Sequence, residues 1–156
     1  MISLAWTRFF LVAAGLLGAV GVAAGAYASH GLTSLVDEVK LIDYFELAAL
    51  YQLVHAVALL GLALAASYRP LHLGAVVAGL LFTTGVLLFS GSLYLRVLTG
   101  VADWGSFTPL GGSAFILGWL VIAVTGVRAV QALQSEPGQK PGHQKAEDPQ
   151  GLRPPQ

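Results

Sequence analysis

The stretch Tyr51–Leu59, YQLVHAVAL, places a tyrosine, a glutamine and a histidine within five residues of an otherwise apolar run. Side chains of these types could relay a proton through the imidazole, hold a small polar ligand, or hydrogen-bond a neighbouring helix. On a helix Tyr44, Tyr51 and His55 share one face, and Gln52 flanks it three residues before the histidine. A relay or binding role would have to work without a carboxylate, because no acidic residue lies inside an apolar run. Glu46 stands at the mouth of this one, roughly 160° round the helix from Tyr51 and His55.

Further polar groups sit near the ends of other apolar runs. Tyr27 and His30 close the first, Ser90, Ser92 and Tyr94 close the third, and Thr108 and Ser113 open the fourth. Antiparallel helices would bring these groups to the same half of a bundle. The candidate site is therefore a polar patch of His30, Tyr51, Gln52, His55, Ser90, Ser92 and Tyr94. Interhelical hydrogen bonding that fixes register is favoured, and ligand binding or proton relay by a small transporter is the alternative. His30 and His55 could in principle be axial haem ligands. Their depths would differ by roughly 10 Å, which does not suit opposite sides of one iron. No cofactor is expected.

No nucleophile–base pair, paired carboxylates, phosphate loop or HExxH spacing occurs, so no catalytic residue, metal site or enzymatic activity is assigned. Gly111-Gly112 could offer bare amides to an anion at a helix start, but glycines there more often serve packing. The chain has no cysteine, which removes disulfides, iron–sulfur ligation and thiol catalysis. No basic patch suggests a nucleic-acid partner.

The elements that carry these residues follow from composition. Of 156 residues, 56% are hydrophobic and only 10% charged, with zero formal net charge. Soluble domains carry roughly 25% charged residues, so this chain is expected to live in a lipid bilayer. Residues 9–28, 47–68, 73–95 and 109–127 are uncharged. Each run would reach roughly 28–35 Å as a helix, against a bilayer core of about 30 Å. Backbone groups in lipid must be satisfied internally, so the runs are helices. The predicted fold is an all-α membrane protein: a four-transmembrane-helix bundle over residues 1–134, followed by a disordered tail over 135–156. That tail holds five of the seven prolines.

Breaks between the runs have recognisable chemistry. Gly31 suits a left-handed C-cap, Ser67–His72 a proline-stopped turn, and Thr108-Pro109 an N-cap followed by proline at the first helical position. Leu35, Val39 and Ile42 fall on one face, so residues 33–43 read either as a short interfacial helix or as an extension of the second span capped by Ser34. Arg8, the first apolar run and Ala26-Tyr27-Ala28 together resemble a cleavable signal peptide, but the run is longer than usual for one, and retention is expected.

Lys and Arg counts set the orientation. Arg8, Arg69, Arg128, Lys140, Lys145 and Arg153 would lie on one side, against Lys40 and Arg96 on the other. Both termini are thus predicted cytoplasmic, in a multi-pass protein of the plasma (inner) membrane. Gly15, Gly18, Gly21 and Gly25 of the first span, with Ala14, form small-residue pairs that permit close helix approach. Packing within the bundle is favoured for them. Self-association or contact with another membrane protein is the alternative.

GAYASHGL (Gly25–Leu32), YQLVHAVALL (Tyr51–Leu60), FSGSLYL (Phe89–Leu95) and TPLGGSAFILGW (Thr108–Trp119) occur in that order. In these motifs the chain resembles the YgdD-like, transmembrane protein 256-like family of small membrane proteins, over about Phe9 to Val127. The resemblance implies four helices, an inner or organellar membrane, retention of the first span, and His30 and His55 at motif positions. It implies no catalytic residues, because the family has no established activity.

Overall fold

The computed structural model describes residues 3–34, 38–68 and 73–135. The turn expected at Ser67–His72 therefore lies largely outside the described residues, as do Leu35, Asp37, Arg69 and the tail from 136 onward. Four helices form: α1 (Ser3–His30), α2 (Val39–Tyr68), α3 (Leu73–Thr99) and α4 (Thr108–Ser135). All four are long and apolar enough to cross a membrane. They run 27 to 30 residues, so each spans roughly 40–45 Å, the bilayer core together with its headgroup layers. Each helix thus extends beyond its uncharged run into the region where charge is tolerated.

At its start α2 takes in the charged segment from Lys40 to Glu46 and runs on without a break. Residues from Val39 onward are therefore an extension of the span. Ser34 does not cap it. That residue belongs to a 3-10 turn, Leu32–Ser34, and its hydroxyl donates to the Gly31 carbonyl at 2.7 Å.

Two other caps differ from expectation. Gly31 does not adopt a left-handed conformation; its N–H donates to Tyr27 O at 2.8 Å in a right-handed turn. The glycine is needed for space, since a Cβ there would meet the Tyr27 ring. Among described residues only Gly100 has positive φ, at 71°, and it ends α3 with its N–H on Arg96 O at 3.1 Å. Thr108 is helical rather than an extended N-cap, because a 3-10 helix at Ala102–Phe107 leads straight into α4.

The helices neighbour one another in chain order. α1 packs chiefly on α2, α2 on α3, and α3 on α4, while α1 touches α3 briefly and has no extended contact with α4. One apolar core, around Phe10, Leu59, Phe82 and Phe115, joins all four helices. A smaller one, Ala28, Leu32, Phe45 and Val97, closes the end where α1 stops and α2 begins. Close packing depends on phenylalanine rings seated on glycines of another helix. Phe10 covers Gly79, Phe115 covers Gly85 and Phe82 covers Gly118. At Gly111 a Cβ would overlap the backbone of Phe89, so α3 and α4 come nearly backbone to backbone there.

Candidate functional site

The polar residues of α2 are set by helical spacing and by the neighbours they meet. Gln52 and His55 are buried, at 2% and 3% exposure, although α2 also presents much of its surface to lipid. Gln52 turns toward α1, where its Nε2 donates to Leu17 O at 2.7 Å. Gly21 makes this approach possible, because a side chain there would strike Leu53 and crowd Gln52.

His55 turns the other way, toward α4. Trp119 Nε1 donates to His55 Nε2 at 3.2 Å. An acceptor Nε2 carries no hydrogen, so Nδ1 holds the proton and donates to Tyr51 O at 2.7 Å. This network assigns the neutral Nδ1–H tautomer. The imidazole also stacks on Phe115, with ring centroids 3.6 Å apart and planes 11° from parallel. Phe82 at 5.1 Å completes the surround. With both nitrogens committed, His55 could ligate a metal or take a second proton only by breaking a bond it already makes.

Tyr51 stacks on Phe89 at 4.7 Å and approaches Phe115 at 5.9 Å, and its ring is partly exposed. The side of α2 that carries Tyr51 and His55 therefore belongs to an aromatic array shared with α3 and α4. Sequence reasoning missed Phe115 and Trp119 as partners of His55. Their four-residue spacing on α4 matches that of Tyr51 and His55 on α2, which was the available signal.

The remaining candidates are distributed rather than gathered. Ser90 Oγ donates to Ala48 O at 2.8 Å, tying α3 to α2. Ser92 Oγ pairs with Thr108 Oγ1 at 2.8 Å, tying α3 to α4, and also reaches Phe89 O at 3.0 Å. Tyr94 packs against Phe45, ring centroids 4.6 Å apart, beside the smaller core, and its buried hydroxyl has no partner among described residues. His30 is exposed at the end of α1. Gln52, His55, Ser90 and Ser92 thus form separate interhelical bonds, each between two helices, while His30 and Tyr94 take no part in them. Of the glycines on α1 only Gly21 meets another helix; a Cβ at Gly15, Gly18 or Gly25 would touch nothing within 4 Å. No group of three or more His, Cys, Asp or Glu suited to a metal ion occurs among described residues.

Comparisons with known proteins agree with the architecture. The family described as "Protein of unknown function (DUF423)" matches residues 24–112. A UPF0382 membrane protein from Staphylococcus epidermidis is 34% identical over 121 residues, covering 78% of this chain and 97% of that protein. The UPF0382 inner membrane protein YgdD of Escherichia coli is 34% identical over 122 residues, covering 78% and 92%. A UPF0382 membrane protein from Staphylococcus aureus is 32% identical over 117 residues, covering 75% and 93%. No solved structure matches. Four membrane-crossing helices, the family match and these relatives together make this chain a four-helix membrane protein of the DUF423 (UPF0382) family.

Proposed function

We propose that the protein is a non-enzymatic, polytopic membrane protein whose buried polar residues fix helix register, and whose lipid-facing surfaces serve a structural or partner-binding role. One observation carries this reading. Among described residues each successive pair of helices is tied by at least one side-chain hydrogen bond: Gln52 to Leu17 O, Ser90 to Ala48 O, and Ser92 to Thr108. Trp119 to His55 adds a fourth tie, from α4 to α2. Such bonds are worth roughly 0.5–2 kcal/mol each in a membrane. The competing reading, a transporter or ligand-binding protein using these residues, needs an opening among them. Gln52, His55, Ser90 and Ser92 are instead buried, and each makes a hydrogen bond within the bundle.

The relatives named as inner membrane proteins, with the Lys and Arg asymmetry, favour a plasma-membrane location with both termini in the cytoplasm. A reporter pair active on opposite sides of the membrane, fused after Ser135, tests this. Signal from the periplasmic or extracellular reporter would reverse the orientation. Open space beside Gly15, Gly18 and Gly25 favours α1 as the face for self-association or a second membrane protein. The decisive experiment is H55A in purified, folded form. Lower folded yield with unchanged co-purifying partners agrees with a structural role. A well-folded H55A protein that has lost a specific transport or binding activity would refute it.

A further inference from the structure

At the end of the bundle where α2 begins and α3 stops, two cations converge on one ring. Lys40 Nζ lies 5.9 Å from the centroid of Tyr44, and the guanidinium carbon of Arg96 lies 5.1 Å from it. The two charges are therefore at most the sum of those distances apart. Together with Glu38 and the apolar side chains of Leu41 and Ala102 they line a cavity of about 220 Å³. Two cations against the single carboxylate of Glu38 leave the described lining of this cavity with net positive charge. Among described residues neither cation has a carboxylate within ion-pair distance.

Gly105 lies against the Arg96 guanidinium, where an added Cβ would meet Nη1 and push the flexible end of the side chain aside. The left-handed turn at Gly100 brings the following 3-10 helix to this position. The start of α2 adds the positive end of its dipole to the same space. Asp43, Glu46 and Asp103, the other acidic groups described at this end, are exposed and do not line the cavity. On the adjoining 3-10 helix Trp104 and Phe107 are exposed with ring centroids 6.1 Å apart. Exposed aromatics at a span end mark the membrane–water boundary, which places the cavity at headgroup depth.

We propose that the Lys40–Arg96 cleft binds a phosphate group, carried by a phospholipid headgroup or free in solution. The guanidinium supplies directed donors, the ammonium a point charge, and the cavity's apolar wall suits the carbon chain of an esterified phosphate. Glu38 faces the same space and weakens anion binding by repulsion.

The test uses the full chain purified in mild detergent. Thermal unfolding is followed while inorganic phosphate or, separately, phosphatidylglycerol in mixed micelles is titrated in. Binding to the folded state raises Tm. K40Q and R96Q should each weaken half-saturation about tenfold, since each removes a charged partner of the anion. E38Q should tighten it, and R128Q, at the far end of α4, should leave it unchanged. A response to phosphatidylglycerol alone identifies a lipid site, and a response to inorganic phosphate identifies a free-anion site. Should R96Q fail to fold, K40Q still decides, because Lys40 is exposed. The proposal is overturned if neither probe raises Tm, or if K40Q leaves half-saturation where it was.

Discussion

Two glycine-bearing regions of this molecule behave oppositely. On α1, Gly15, Gly18, Gly21 and Gly25 form the most conspicuous small-residue pattern in the sequence. Yet only Gly21 is used within the bundle. On α3 and α4, Gly79, Gly85, Gly111 and Gly118 are less regularly spaced, and each is filled by another helix. The difference lies in what stands opposite. Three of the seven phenylalanines, Phe10, Phe115 and Phe82, lay their rings on Gly79, Gly85 and Gly118, and the backbone of Phe89 closes on Gly111. A glycine pattern says that a helix can be approached closely. A large ring at matching depth on a neighbour says that it is.

Substitutions can break that comparison, and the largest effect belongs to Gly111. G111A would drive a methyl into the Phe89 backbone, which cannot move aside as a side-chain tip could. A loss of about 3 kcal/mol, or failure to accumulate folded protein, is expected in thermal unfolding in detergent. Next comes H55A, which empties the space against Phe115 and leaves the Trp119 N–H without its acceptor. We expect a loss of about 1–2 kcal/mol, with a shift in tryptophan emission that W119F abolishes. Q52L should cost less, about 0.6 kcal/mol, because the Leu17 carbonyl it abandons sits within α1 and keeps its own helical hydrogen bond.

The smallest effect is expected at Gly18. G18A meets open space, so in detergent it should be neutral or stabilise by up to about 1 kcal/mol through helix propensity. A G18A loss as large as that of G111A would end the distinction between the two faces. A loss seen only in membranes, accompanied by a change in oligomeric state, would sharpen it by showing that α1 is covered there.

The positions of the four spans were legible because absence of charge over a bilayer's width is a one-dimensional property. The shared face of Tyr51 and His55 was equally local, since it depends only on spacing along one helix. What was not legible depended on register between helices. Nothing in the residues around His55 announces Trp119, 64 positions away. Thr108 carries sound local cap chemistry, but Ser92 of α3 pairs with its hydroxyl; the miss at Gly31 was local instead, since the Tyr27 ring four residues earlier takes the space. The convergence of Lys40 and Arg96 on Tyr44 was likewise hidden. In sequence they looked like two scattered charges that merely set orientation.

The chain-order arrangement of the helices bears on how the protein is made. Because α2 rests on α1, α3 on α2, and α4 on α3, almost every contact joins helices adjacent in synthesis. Each new span leaving the ribosome finds its docking surface already in the bilayer and need not wait for a later one. Such local topology keeps the search short and limits the time a polar group such as Gln52 spends without its acceptor. His55 departs from this order. Its indole partner arrives only with the last helix, so α4 both completes the bundle and relieves a buried side chain that earlier spans leave half satisfied.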